Sequence, residues 1–142
     1  MSKPKARSTL YRLIEAGQLA HRALLVPLHD RGLEAGDDAG IFVLHTGLGS
    51  TEEALAEALG LAPEVLAPRL ERLVERDVVA RRAIGPDLIP GVALTERGER
   101  IREILAANWE QLEEALFADL RPRRRKSLAR ALKRFVDLLR LP

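Results

Sequence analysis

Three histidines, His21, His29 and His45, are the side chains of this 142-residue chain best suited to ligating a metal or relaying a proton. Their spacing matches neither H-E-x-x-H nor any other paired-ligand pattern, so His21 and His29 read as ordinary half-buried histidines. Cysteine is absent, which removes thiolate catalysis, disulfides and cysteine metal sites, and fits a reducing, cytoplasmic location. The G-L-G at residues 47–49 follows no strand and reads as a turn rather than a phosphate loop. These residues point to no enzyme, no cofactor and no metal.

The remaining chemistry is electrostatic. The net charge is only +2, but its distribution is uneven. Residues 51–77 hold seven acids against three bases, Arg69, Arg72 and Arg76. Residues 121–140 hold nine bases against the single acid Asp137, beginning with RPRRRK at 121–126. That run reads as a turn, either simply solvated or forming a second electrostatic surface, with Lys3, Lys5 and Arg7, for an acidic protein, RNA or another DNA segment.

The elements that must carry these charges follow from pattern. Hydrophobic residues make up 46% of the chain, enough for one globular domain with an ordinary core, and no run approaches the roughly 20 apolar residues of a membrane span. Ser8 can cap a helix with Leu10, Leu13, Ile14, Leu24 and Leu28 on one face, which Pro27 should kink. Residues 39–45 (AGIFVLH) are a short apolar run of either type. Ser50 and Glu53 form an S-x-x-E capping box for a helix that Gly60 stops, and Pro63 suits the first turn of the next one. Two extended runs, from Val78 to Gly85-Pro86 and from Val92 to Thr95, read as a hairpin with a loop of about seven residues. A long helix follows to Pro122, and a last one carries Leu128, Leu132, Phe135 and Leu139 as a seam for another helix.

Helix, short connection, helix and wing, in that order, are carried by TEEALAEALGL (51–61), LERLVERDVVARR (70–82) and LTERG (94–98). Taken together they resemble the MarR family of bacterial winged helix-turn-helix transcription regulators. The resemblance implies a mainly α fold with a small two-stranded β-wing. Residues 1–34 and 100–142 would form dimerisation helices and 37–99 the winged helix-turn-helix. It further implies a homodimeric repressor that binds double-stranded DNA and responds to a small aromatic ligand, without membrane association.

On that scheme the residues placed to meet DNA are Arg69, Arg72, Arg81, Arg82, Arg97 and Arg100. The face is poor, because the positions that usually read bases hold Pro63, Glu64, Val65, Ala67 and Pro68, and the wing tip has Asp87-Leu88-Ile89 in place of Asp-Arg-Arg. Arg81 and Arg82 serve equally well as solvated strand charges. Pro68, inside the second helix, should cost on the order of 3 kcal/mol or bend it. DNA binding is therefore expected to be weak, and the alternative is a ligand- or protein-binding dimer that has lost sequence-specific reading. The ligand pocket implied by the family would use His21, Phe42, His45 and Trp109, the aromatics giving flat apolar area and the histidines hydrogen bonds.

Overall fold

A computed structural model describes residues 8–44 and 48–141 of the chain. The chain divides into a larger unit ending at Trp109 and a smaller one beginning at Glu110. Ser8 caps α1 (Thr9–His29), its hydroxyl accepting from the Tyr11 N–H at 3.1 Å. Pro27 lies inside that helix, within its last turn. Of the run that periodicity left undecided, residues 39–43 are helical, within α2 (Asp37–Val43), which is preceded by Gly36 at φ 98; Leu44 is extended, and His45 lies outside the described residues.

The next helix, α3 (Glu52–Leu59), is capped by Thr51, whose Oγ1 accepts from the Ala54 N–H. The expected Ser50–Glu53 box does not form, and the cap lies one residue later. Ser50 and Thr51 make up a short strand, β1 (Ser50–Thr51), and the Ser50 hydroxyl donates to the Thr51 carbonyl at 3.0 Å. Gly60, left-handed at φ 67, ends α3, and the Leu61 N–H returns to the Ala56 carbonyl. After it α4 (Pro63–Glu75) begins with Pro63 in its first turn and continues past Pro68.

The wing is the expected two-stranded hairpin, and a third short strand joins its sheet. β2 (Val79–Ile84) and β3 (Ile89–Leu94) pair antiparallel with Ile84 opposite Ile89, and β1 adds to the far edge of β3 with Ser50 opposite Val92. The connecting loop is residues 85–88, shorter than expected, because Pro90 and Gly91 lie within β3 rather than in the turn. Pro90 is tolerated because it lies beyond the two residues that β1 covers.

LTERG then acquires a physical reason. The Thr95 hydroxyl accepts from the Gly98 N–H at 3.0 Å, capping α5 (Glu96–Phe117), and donates to the Asp77 carbonyl at 2.6 Å. A Cβ at Gly98 would collide with the Val78 carbonyl oxygen, so only glycine lets α5 start this close to β2. The core of the larger unit joins Leu25 and Leu28 of α1, Ile41 of α2, Leu55 of α3, Leu70 of α4, Val92 of β3, and Ile101 and Leu105 of α5. Asn108 of α5 adds a hydrogen bond to the Ala23 carbonyl of α1 at 3.2 Å.

In the smaller unit, RPRRRK is not a turn. Arg121 is the N-cap and Pro122 the first residue of α6 (Pro122–Leu139), so the arginines occupy its first turns. α6 has no buried residue; Leu128, Leu132, Phe135 and Leu139 all stand exposed along one side. Arg125, on the same side, lies 3.7 Å from Glu113 and over the Phe117 ring.

Candidate nucleic-acid interface

α4 is the element that a winged head offers to a groove, and its sides differ in chemistry. Leu66, Leu70 and Leu73 are buried against the core. At 100° per residue, Arg69, Arg72 and Arg76 lie along one flank of that stripe, and all three reach the connection between α1 and α2. Arg72 Nη2 meets Asp37 Oδ1 at 2.6 Å, and its Nη1 lies 3.6 Å from Glu34. A Cβ at Gly36 would stand 2.5 Å from the Arg69 guanidinium, and one at Gly32 2.6 Å from that of Arg76. Both glycines have positive φ, so the bend that brings the connection under the arginines also requires residues without a side chain there.

Opposite the buried stripe, α4 presents Glu64, Pro68, Glu71 and Glu75, all exposed. This outward side carries three carboxylates, and Pro68 cannot donate a backbone hydrogen bond. The spacing of three and four made legible only that Arg69, Arg72 and Arg76 stand beside the leucines rather than opposite them. What the pattern lacked was Asp37, which looks like a loop acid until α2 forms and buries it.

The other arginines proposed for DNA contact divide in the same way. Arg81 is paired to Glu52 at the start of α3 at 2.9 Å. Arg97 donates from Nε to the Arg76 carbonyl at 3.2 Å. Arg82 on β2 and Arg100 on α5 are exposed and have no ion pair among the described residues. At the wing tip, Leu88 has φ 52 and is 70% exposed, with Gly85 at φ 75 opening the loop.

The proposed ligand residues are only partly brought together. Phe42 and Trp109 pack edge to face, centroids 5.7 Å apart at 78°. His21 turns to Asp38, Nε2 to Oδ2 at 3.5 Å, and Asp38 also accepts from the Gly36 N–H. His21 and His29 are exposed, not half-buried. His45 lies outside the described residues.

No protein-family model and no curated sequence matches the chain. Solved structures do. Staphylococcus aureus MepR, in a DNA complex, superposes with a TM-score of 0.80 at 16% identity, covering 96% of this chain and 100% of that one. The chain has the MarR-type winged-helix fold. The MarR structure itself gives a TM-score of 0.71 at 23% identity over 97% of this chain and 95% of its own. CouR from Rhodococcus jostii, bound to p-coumaroyl-CoA, gives 0.70 at 21% identity, covering 93% and 94%. Against the MarR-type frame, the recognition-helix position is α4 and the wing is β2–β3, so the acidic outward side belongs to the element that would face a groove. No helix among the described residues is long and apolar enough to cross a membrane.

Proposed function

We propose that the chain is a DNA-binding transcription regulator of the MarR type, acting as a homodimer and responding to a small aromatic ligand. The carrying observation is that the winged head is complete and its core intact, within a chain that matches MarR-type structures along almost its whole length. Cytoplasmic location and the absence of enzymatic activity go with this reading. Self-association is supported by the exposed apolar residues of α1 (Leu10, Tyr11, Ile14) and of α6 (Leu132, Phe135), more than a soluble monomer usually leaves to water. The ligand reading rests on the Phe42–Trp109 pair, with Trp109 still 48% exposed.

Phosphate contact falls to Arg82 and Arg100, together with Arg69, since Arg72, Arg81 and Arg97 are engaged within the chain. The outward acids of α4 favour a second reading, a MarR-fold dimer whose head no longer reads sequence. Fluorescence anisotropy with a duplex from the chain's own upstream region, against an arbitrary duplex of equal length, separates the two. A preference for the upstream duplex that is lost in Arg82→Ala/Arg100→Ala supports the regulator. Equal affinity for both duplexes supports the silent head. Sedimentation should give twice 15.8 kDa, falling to one copy in Leu132→Glu/Phe135→Glu.

A further inference from the structure

α6 has a second side that the proposed function does not use. Arg123, Lys126, Arg130, Lys133 and Arg134 follow one another at intervals of three, four, three and one, which puts them on the side opposite Leu128, Leu132 and Phe135. The row runs about 16 Å along the helix at 1.5 Å per residue. Shallow grooves lie between these side chains, one lined by Pro122, Arg123, Lys126, Ser127 and Arg130, the next by Arg130, Lys133 and Arg134 with Asp137, Leu138 and Leu141 at its C-terminal end, so the five cations share this side with one acid. All five cations are exposed, and none has an ion pair among the described residues; the paired arginine of this helix is Arg125, elsewhere on its circumference.

Local helix stability does not account for this arrangement. The first turn of α6 contains no acid and its N-cap makes no side-chain hydrogen bond, so the cations at 123 and 126 oppose the helix dipole. Nor does the row look like the centre of a protein interface, which is normally built on buried aromatic or aliphatic anchors; between Arg123 and Arg134 this side offers only Ser127 between its cations. From Arg123 to Arg134, before Leu138 and Leu141 are reached, a straight row of cations without apolar anchors is complementary to a line of phosphates.

We propose that this side of α6 is a sequence-independent docking surface for the phosphate backbone of duplex DNA, formed by a different element from the winged head. It operates whether or not the head reads sequence. The test is anisotropy of the full-length chain with a labelled arbitrary duplex of about 20 base pairs, at 50 to 200 mM NaCl. Five phosphate contacts at about 0.9 each give a log–log slope near −4.5, or roughly a 500-fold loss of affinity across that range.

Replacing all five cations by alanine should flatten the slope by about 4.5, whereas Arg82→Ala/Arg100→Ala should leave most of it in place. Arg123→Glu/Lys126→Glu, which removes the conflict with the dipole and so folds at least as well, should weaken binding at 50 mM at least tenfold. An unchanged slope in the five-site variant, or unchanged affinity in the two-site variant, overturns the proposal. So does tighter binding of the unmodified chain to polyglutamate or to phosphatidylserine vesicles than to the duplex. Because the duplex is arbitrary in sequence, failure here leaves the upstream preference of the head to be decided on its own.

Discussion

Replacing Arg72 by methionine tests whether the arginines of α4 hold the head together or serve DNA. Asp37 has a fully buried side chain, with Arg72 on Oδ1 at 2.6 Å and the Glu34 N–H on Oδ2 at 2.8 Å. Methionine keeps the apolar stem of the arginine and removes the charge, and it also removes Arg72 Nε, which is buried without a hydrogen-bond partner. The cost therefore comes from leaving the Asp37 carboxylate unpaired. Breaking a buried pair from one side costs about 3–5 kcal/mol. The lower end applies here, because Asp37 keeps its backbone donor and lies at the N-terminus of α2, where the dipole favours an anion. At about 3 kcal/mol, a chain of this size should lose roughly 6–12 °C in melting temperature. Thermal unfolding followed by circular dichroism at pH 7 gives the value. Asp37→Asn in the same chain should recover about 2 kcal/mol, because no unpaired charge is then left behind. If Arg72→Met melts within 1 °C of the parent while duplex affinity falls, Arg72 is a DNA contact and the structural reasoning is wrong.

Glycine positions provide a matched pair: Gly98→Ala should destabilise by about 2–3 kcal/mol because its Cβ meets the Val78 carbonyl, while Gly17→Ala, with open space around it in α1, should stabilise by roughly 0.5–1 kcal/mol. Urea unfolding midpoints measure both, and equal effects would contradict the close approach of α5 to β2. Leu88→Asn should stabilise by about 0.5–1 kcal/mol, since asparagine accepts the left-handed backbone at the wing tip more readily than leucine; a loss of stability in the same assay counts against that loop conformation. Pro68→Ala should add about 1–3 kcal/mol and slow amide exchange in α4 by restoring the N–H that the helix lacks at that position. Unchanged exchange would mean that α4 has already accommodated the proline at no cost.

Helix order, the Ser8 cap, the Gly60 stop and the break of α5 before Pro122 were legible because each rests on local chemistry that tertiary contacts reinforce, whereas the basic run 121–126 looked like a turn and is the start of α6. β1 was not, since two residues with no alternation become a strand only when β3 lies beside them. The shorter wing loop was hidden by Pro90 and Gly91, which signal a turn in sequence but occupy β3 in the fold. In the candidate site, the poverty of the reading side could be seen from Glu64 and Pro68. The fate of Arg69 and Arg72 could not, because it depends on a connection folded beneath them by Gly32 and Gly36.

The consequence for function lies at the start of α2. Asp37 holds Arg72 of α4, and the adjacent Asp38 lies within 3.5 Å of His21 of α1, so neighbouring residues of one short helix tie the first helix to the recognition-helix position. Phe42, one turn further along α2, meets Trp109 of α5. A molecule that displaced Trp109 from Phe42 would load α2, and α2 cannot shift without straining an ion pair with a buried carboxylate. Because cores and buried pairs resist gradual deformation, such a load would pass to α4 as a discrete displacement. The Arg72–Asp37 pair would thus give the head a mechanical link to the proposed ligand residues, which a recognition helix with all its cations turned outward would not have.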